Sequence, residues 1–212
     1  MKAIYETIRS YYTRKLHQYG PQPEGVDWNS VDSQTTRFQQ LVKLIDGSEN
    51  FSINDLGCGY GELISFFNNS GFREFIYYGY DLSPAMVAEA RKKYTENENL
   101  KFLNIEDSRE LNVADYTIAS GIFNTKQDHS DTNWKDYVYY TLDQMNLNSI
   151  KGFSFNILTR YSDQNKMKAD LFYADPCELF DHCKKSYSRN VALLHDYDLY
   201  EFTILVRKLK SE

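Results

Sequence analysis

The sequence has few cysteines and no long hydrophobic run, and both absences narrow the classes of protein to which it can belong. Its three cysteines, Cys58, Cys177 and Cys183, are odd in number and irregularly spaced. No histidine stands at zinc-ligand spacing from them, so we expect reduced thiols and no metal site. The longest apolar runs cover a few residues, far short of the roughly 20 needed to span a bilayer. We therefore expect a cytoplasmic protein without a membrane segment.

An excess of positive charge is also missing. The chain carries 24 basic and 30 acidic side chains, which give a formal net charge of −6. Affinity for a phosphate backbone depends on lysine and arginine side chains that release counterions, so this balance disfavours a nucleic-acid partner. With 212 residues and 42% hydrophobic content, the chain is long enough for one substantial core and short for two.

Two helices are predicted ahead of the first strand. The apolar side chains of the first helix lie on one face, and this helix stops at Gly20. The second helix is capped by Asp32 or Ser33 and ends at Gly47. Both helices precede any strand pattern, so they form a helical segment at the amino-terminal end.

The rest of the chain alternates between strand and helix patterns. Strands are predicted at residues 51–56, 75–80, 100–105, 113–120, 152–158, 191–195 and 202–206. The link between the last two strands is too short for a parallel crossover, so these two should pair antiparallel. The sequence thus predicts an α/β fold with a mostly parallel sheet, helices on both faces and a terminal antiparallel hairpin. We divide the chain into a helical leader, residues 1–30, and one globular unit, residues 31–212.

Three glycines stand between the first strand and its helix, where α/β proteins bind nucleotides. Gly57, Gly59 and Gly61 let the backbone turn tightly and approach a ligand closely. A dinucleotide fingerprint needs Gly-x-Gly-x-x-Gly, but here the third glycine comes one residue early and Glu62 takes the last position. That carboxylate would meet a pyrophosphate, which disfavours a nicotinamide-dependent dehydrogenase. Asp55, near the strand end, suits a cationic amino group or orders the loop.

A second carboxylate follows at the end of the next strand. Asp81 lies twenty residues past Gly61. In that place it can accept hydrogen bonds from both hydroxyls of a ribose. The alternative is that the glycines form an ordinary turn and that Asp81 merely caps the next helix. The glycine loop and the acid together favour a cofactor that contains a nucleoside.

These stretches resemble the motifs of a known family. Residues 55–61 (Asp-Leu-Gly-Cys-Gly-Tyr-Gly) resemble the first motif of the class I S-adenosylmethionine-dependent methyltransferases, and residues 80–83 (Tyr-Asp-Leu-Ser) resemble the second. The resemblance extends over residues 30–207 and is nearest to a bacterial group within the family. It implies S-adenosylmethionine as the cofactor and a Rossmann-like sheet of seven strands with the last one antiparallel. The implied cofactor contacts are Asp55, Gly57, Cys58, Gly59, Gly61, Asp81 and Leu82.

Later motifs of the family imply further cofactor contacts. An acid just after the third strand usually binds the adenine amino group, and counting along the chain favours Glu106, with Asp107 as the alternative. The end of the fourth strand lies beside the transferable methyl group. This chain offers Ser120, Gly121 and Ile122 there.

The leader also acquires an expected role from the resemblance. In this family such a segment often covers the cofactor and the acceptor, so residues 1–30 are expected to act as a lid. Arg37, in the second helix, either binds the methionine carboxylate of the cofactor or lies on an exposed helix face.

The acceptor is defined mainly by exclusion. A hydroxyl acceptor needs a general base, and His129 and His195, with His17 as a third, are the candidates, although each also fits a structural or surface role. Asn124 lacks the Asn-Pro-Pro-Tyr sequence of enzymes that methylate nucleobase or amide nitrogens. We therefore predict methyl transfer to a small polar acceptor, such as a hydroxyl of a metabolite or glycan precursor. The alternative is a regulatory protein that binds S-adenosylmethionine without transferase activity.

Overall fold

The computed structural model describes residues 1–28, 30–47, 50–95 and 97–208, and its helices and strands alternate as the sequence predicts. The helices are α1 (Lys2–Tyr19), α2 (Val31–Leu41), α3 (Glu62–Asn69), α4 (Pro84–Lys93), α5 (Asp131–Leu147) and α6 (Pro176–Ser186). The strands are β1 (Phe51–Leu56), β2 (Phe75–Asp81), β3 (Leu100–Asn104), β4 (Ala114–Ala119), β5 (Ser149–Leu158), β6 (Asn190–Leu194) and β7 (Glu201–Arg207). Short 3-10 turns occur at Pro23–Val26, Val42–Leu44, Ser108–Glu110 and Gln164–Lys166.

The strands form one sheet in the order β3-β2-β1-β4-β5-β7-β6. Strands β1 to β5 run parallel, and β7 is antiparallel to both of its neighbours, β5 and β6. The predicted α/β fold, with a Rossmann-like sheet and a terminal antiparallel hairpin, is confirmed. The strand order reverses at β1, which lies between β2 and β4, and open α/β sheets bind ligands in the crevice at such a switch point.

The sheet separates two hydrophobic clusters. Ile204 and Leu205 are neighbours on β7 and are both buried, but they belong to different clusters because successive side chains of a strand point to opposite faces. Strands covered on both faces read as nearly continuous apolar runs, which explains why the strand predictions agree closely with the structure. Because both faces of the sheet are covered, we expect a ligand site at the carboxyl-terminal ends of the parallel strands.

Helix α2 differs in its bounds from the prediction. Its amino-terminal cap is Ser30, whose hydroxyl accepts a hydrogen bond from the backbone N–H of Ser33 at 3.1 Å. The α-helix ends at Leu41 and continues only as the 3-10 turn Val42–Leu44, so it does not reach Gly47. The predicted caps, Asp32 and Ser33, thus lie inside the first turn, because the Ser30 side chain supplies the capping oxygen two residues before Asp32.

Helix α1 lies across the carboxyl ends of β2 and β3. The Nε of Arg9 donates to the carbonyl of Leu82 at 3.0 Å, and the hydroxyls of Thr13 and Ser83 are 2.8 Å apart. Ile4, Tyr5, Ile8 and Leu16 are buried on its inner face, as its apolar pattern predicts. The segment ahead of the first strand therefore packs over the edge where the glycine loop and Asp81 lie.

Candidate cofactor and acceptor site

The glycine loop folds back onto the end of β2. The backbone N–H groups of Gly57 and Cys58 both donate to the carbonyl of Tyr80, at 2.7 and 3.0 Å. Gly57 has φ = +80°, and a Cβ at this position would lie 2.2 Å from Cγ2 of Ile122. Glycine is required here for its conformation and for the close approach of the β4 loop.

Asp81 organises the same loop. One carboxylate oxygen accepts from the N–H of Gly59 at 2.9 Å, and the other accepts from the N–H of Ser83 at 2.7 Å. Burial raises the pKa of Asp81 to about 6, while these two hydrogen bonds act in the opposite direction. Each oxygen still has a free lone pair, and the side chain lines a cavity. Asp81 therefore orders the loop and remains able to accept from a ligand.

Asp55 lies deeper, at the end of β1. It is buried and accepts a hydrogen bond of 2.6 Å from the hydroxyl of Tyr77. Burial raises its pKa to about 7; the Tyr77 bond lowers the pKa and the nearby charge of Asp81 raises it further. A buried carboxylate of this kind gains most from a positively charged ligand, because that ligand would stabilise the ionised form.

A cavity with about 950 Å³ of empty space, part of it open to solvent, extends from this loop to the leader. Its floor comes from the glycine loop, the end of β2 and the residues after β4. Its cover is formed by residues of α1, the following turn and α2, which are Tyr5, Ile8, Tyr12, Val26, Trp28, Gln34 and Phe38.

The charged side chains of this wall are all acidic. Asp55, Glu62 and Asp81 line the cavity, and within the described chain no lysine, arginine or histidine does so. Glu62 is paired with Lys93 at 2.8 Å, so Asp55 and Asp81 are the acids of this wall that have no basic partner among the described residues. Such a wall attracts a cation and disfavours the multiple negative charges of a pyrophosphate. The electrostatics therefore oppose a pyrophosphate, as the position of Glu62 in the sequence suggests.

Most of the predicted cofactor contacts meet in this one cavity. Those that line it are Asp55, Gly57, Cys58, Gly59, Asp81, Leu82, Ser120, Gly121 and Ile122. Gly61 is placed differently: it caps α3 with φ = +84°, and a Cβ there would lie 2.9 Å from the ring of Tyr94. Its glycine requirement comes from the packing of α3 against α4.

The two acids proposed for adenine lie outside the described cavity wall. Glu106 is exposed, and a carboxylate oxygen of Asp107 accepts from the N–H of Arg109 at 2.9 Å and from the hydroxyl of Tyr140 at 2.8 Å. The side chains that line the cavity at this point are Ile105 and Ser108.

Arg37 is buried in an ion pair, so the predicted alternative of an exposed helix face is wrong, and its binding of the methionine carboxylate stays a prediction. Its Nε and Nη2 each donate to the carboxylate of Glu201 at 2.8 Å, and its Nη1 donates to the carbonyl of Ser33. Both partners of this ion pair are buried. Arg37 is thus absent from the described cavity wall and from the exposed helix face.

The candidate histidines also lie away from the described cavity wall. The Nε2 of His129 is 3.1 Å from the hydroxyl of Thr7 on α1. His195 is exposed, with its ring 6.2 Å from that of Tyr161. His17 lies on the exposed face of α1. A role of any of them as a general base stays a prediction.

Sequence reasoning missed several polar residues of this region. Those that line the cavity are Gln34, Tyr60, Ser108, Tyr137 and Thr141. Behind the wall, the side chain of Asn156 hydrogen-bonds to the N–H of Gly121 and to the carboxylate of Glu201. A signal for the last two was present, because Asn156 lies between Phe155 and Ile157 in β5, and Glu201 directly precedes the apolar residues of β7. A buried polar side chain needs a hydrogen-bond partner, so each of these two residues indicates a buried hydrogen-bond network.

The β7 strand, inserted antiparallel between β5 and β6, and the glycine loop at the switch point define the fold of the class I, S-adenosylmethionine-dependent methyltransferases. A family description, "Methyltransferase domain", matches residues 53–138. The Mycobacterium tuberculosis (strain ATCC 25618 / H37Rv) protein named "Putative methyltransferase Rv1506c" is 51% identical over 167 residues, which cover 79% of this chain and 99% of the relative. The chain therefore belongs to the methyltransferase family, with S-adenosylmethionine as its methyl donor.

Solved structures share the fold at low sequence identity. Magnesium protoporphyrin IX methyltransferase from Synechocystis PCC 6803, with bound SAH, superposes with a TM-score of 0.67 at 12% identity. The matched region covers 96% of this chain and 99% of the Synechocystis chain. Human N-acetylserotonin methyltransferase, in complex with SAM, superposes with a TM-score of 0.60 at 15% identity. The matched region covers 97% of this chain and 66% of the human chain. These two enzymes act on different acceptors, so the fold by itself defines no acceptor.

Two further observations concern the described part of the chain alone. None of its helices is long and apolar enough to cross a membrane. Its histidine, cysteine, aspartate and glutamate side chains form no group of three or more that could hold a metal ion.

Proposed function

We propose that the chain transfers the methyl group of S-adenosylmethionine to a small, uncharged polar acceptor, such as a hydroxyl compound. The observation that carries this proposal is the charge of the cavity, which is lined by Asp55, Glu62 and Asp81 and by no basic side chain in the described chain. The acids suit the sulfonium and ammonium groups of the donor, and the wall offers a phosphate or carboxylate group of an acceptor no basic side chain to pair with.

The residues fit the donor in a definite arrangement. Asp81 accepts from the ribose hydroxyls, and Asp55 faces the amino group. Gly57 and Gly59 let the backbone approach the cofactor, and Leu82 and Ile105 enclose the adenine. Of residues 106–108, Ser108 lines the cavity, so it contacts the adenine edge in preference to Glu106 or Asp107.

The end of β4 fits the reacting end of the donor. The hydroxyl oxygen of Ser120 is buried, lines the cavity and has no hydrogen-bond partner among the described residues. A buried hydroxyl without a partner costs stability, so its position supports a ligand contact there. Gly121 and Ile122 follow directly and lie beside the transferable methyl group.

The acceptor side is aromatic and carries few groups that could remove a proton. Tyr12 and Tyr137 line it, and burial raises the pKa of both hydroxyls. They therefore act as hydrogen-bond donors that orient an acceptor oxygen. In the transfer, the acceptor oxygen forms a bond to the methyl carbon as the carbon–sulfur bond breaks, and the sulfonium becomes a neutral thioether. The chain contributes alignment, and the oxygen loses its proton to a water molecule at the side of the cavity that is open to solvent.

The leader contributes the cover. Residues 1–30 form a lid over residues 31–212, because the inner face of α1 and the turn after it close the cavity from above. Val26 lies within 3.5 Å of a Cβ placed on Gly59, directly over the glycine loop.

The first test measures the donor site. Asp81→Ala removes an acceptor for the ribose and also frees the N–H groups of Gly59 and Ser83, so it should weaken binding of S-adenosylhomocysteine by about 1–3 kcal/mol, or roughly 5- to 150-fold. Isothermal titration calorimetry measures this affinity. Asp181→Ala, which removes an exposed carboxylate that is paired only with Lys185, is the matched control and should bind as the wild type does. Equal affinity of the Asp81 variant and the control would contradict the assignment.

A second test addresses the acceptor. Release of S-adenosylhomocysteine is followed with pairs of compounds that share a hydroxyl and differ by one phosphate or carboxylate group. The proposal expects turnover with the neutral member of a pair and little with the anionic one. Turnover that favours the anionic members would refute an uncharged acceptor while leaving the donor site intact.

A further inference from the structure

Two sets of contacts meet at Gly121, the second residue after the end of β4. From below, its N–H donates to the side-chain oxygen of Asn156 at 2.8 Å. From above, the indole of Trp28 rests on it so closely that a Cβ on Gly121 would lie 2.2 Å from Cη2 of Trp28. Gly121 also has φ = +75°, a conformation that favours glycine. The position of this turn is therefore set from both sides.

The lower support continues as a chain of hydrogen bonds. The amide nitrogen of Asn156 donates to Glu201 at 2.6 Å, and the same carboxylate receives two hydrogen bonds of 2.8 Å from Arg37. The exposed fractions of Asn156, Glu201 and Arg37 are 0%, 2% and 7%. A buried bidentate pair has one favoured geometry, so it fixes the direction of the asparagine and through it the N–H of Gly121.

The upper support depends on the same ion pair. The guanidinium carbon of Arg37 lies 4.1 Å from the ring centroid of Trp28, in the position of a cation–π contact. Trp28 therefore has the guanidinium over its ring and Gly121 at its edge, and it lines the cavity. One ion pair thus determines the position of the strand end and of the aromatic ring above it.

The charge balance explains why Arg37 needs Glu201. An uncompensated guanidinium beside Trp28 would repel the sulfonium of the cofactor at close range. With Glu201 bound, the pair offers a flat platform for the indole and carries no net charge. Because the guanidinium of Arg37 is already paired with the carboxylate of Glu201, its charge is not available to bind the methionine carboxylate of the cofactor.

We propose that Trp28 contacts the methyl-bearing sulfonium end of the cofactor, and that Arg37, Glu201 and Asn156 are positioning residues that hold Trp28 and Gly121 against it. The inference rests on the proposed function for its ligand. It assigns to the buried network a role in the alignment of the reacting methyl group, in addition to its role in stability.

The test uses the fact that the sequence has two tryptophans. Protein labelled with 5-fluorotryptophan gives one fluorine resonance for Trp28 and one for Trp134, and Trp28→Phe assigns them. Trp134 is fully buried, and its indole N–H donates to the carbonyl of Phe123, so its resonance reports that the fold is intact. S-adenosylmethionine and S-adenosylhomocysteine differ only in the methyl group and its charge. We expect the Trp28 resonance to differ between the two complexes and the Trp134 resonance to change far less.

Variants then test the positioning role. Arg37→Met combined with Glu201→Gln removes both charges and leaves no lone buried ion. We expect the difference between the two complexes at Trp28 to shrink toward zero while Trp134 keeps its resonance. Arg37→Lys keeps the charge and loses the planar bidentate contact, so it should give an intermediate difference. If the double variant unfolds, the lysine variant decides the question.

Several results would overturn the inference. An identical Trp28 resonance in the two complexes places the indole away from the methyl group. A full wild-type difference in folded variants refutes the positioning role. If calorimetry detects no binding of either compound to the wild-type protein, the proposed function fails first, and the inference fails with it.

Discussion

At the scale of single residues, Asp55 shows most clearly how the fold tunes a side chain for a cationic ligand. It is buried, has one hydrogen-bond donor in Tyr77, and lies near the charge of Asp81, and its pKa rises to about 7. The folded protein then keeps a proton that the unfolded chain has already released between about pH 4 and pH 7. The free energy of unfolding of the ligand-free protein should therefore fall as the pH rises through this window.

Ligand binding should reverse this relation. The ammonium group of S-adenosylhomocysteine favours the ionised form of Asp55, so binding should release protons near pH 6.5 and become tighter from pH 5 to pH 8. Calorimetry in buffers with different ionisation enthalpies measures the released protons. Asp55→Asn should abolish most of the release, and Tyr77→Phe should shift the midpoint of the affinity profile to higher pH because the ionised carboxylate loses its donor. Proton uptake by the wild-type protein would contradict the prediction.

The residues that sequence analysis could assign have partners close in the sequence, whereas those that it could not assign have distant partners. Gly57 and Asp81 were found because the turn and the strand ends that they serve are encoded within thirty positions of the chain. Arg37 was not, because its partner Glu201 is 164 positions away and only the folded sheet brings the two together. A buried guanidinium and an exposed one have the same local sequence, so the pattern left both alternatives open.

At the scale of secondary-structure elements, the sequence predicts the strands better than it predicts the ends of the helices. The strands were predicted well because each parallel strand is an apolar run that must be covered on both faces. The start of α2 was missed because Ser30, Asp32 and Ser33 can all cap a helix, and the choice depends on how the chain leaves the leader. In the structure the hydroxyl of Ser30 caps α2, so the helix begins at Val31.

The glycine loop allows a prediction that separates backbone conformation from close packing. Gly57 and Gly71 both have φ near +80°, but a Cβ on Gly57 would lie 2.2 Å from Ile122, whereas a Cβ on Gly71 would have nothing within 4 Å. Gly71→Ala should cost about 1–2 kcal/mol of unfolding free energy for the left-handed conformation alone. Gly57→Ala should cost about 1–3 kcal/mol more, because the β4 loop must shift.

Urea unfolding measures the stabilities of the two variants, and titration with S-adenosylhomocysteine measures their binding. Gly71→Ala should bind as the wild type does, because its loop lies after α3 and outside the described cavity wall. Gly57→Ala should bind more weakly even at temperatures where it is folded. Equal stability and equal affinity of the two variants would show that the contact with Ile122 is not required.

At the scale of the whole molecule, the carboxyl ends of the parallel strands lie on one side of the cavity, and residues of the amino-terminal segment lie on the other. The contacts that fasten α1 are a small apolar face and a few polar bonds, among them Arg9 to Leu82, Tyr5 to Ser108 and His129 to Thr7. The central strands are held on both sides by neighbouring strands. We expect the cofactor to enter and leave through the cover, since the covering segment is the less firmly held part.

The proposed role of the leader as a lid predicts a pattern of amide hydrogen exchange. In the ligand-free protein, amides of α1 should exchange faster than those of β1 and β4, and S-adenosylhomocysteine should slow exchange in residues 2–26 because the ligand stabilises the closed form. Helix α6, which packs against β6 and β7, serves as the internal control and should change little. Arg9→Ala removes the bond to Leu82 and should speed exchange in α1 without affecting α6. Exchange in α1 that is as slow as in β4, and unaltered by the ligand, would mean that the leader is a fixed part of the core and that the cofactor enters by another route.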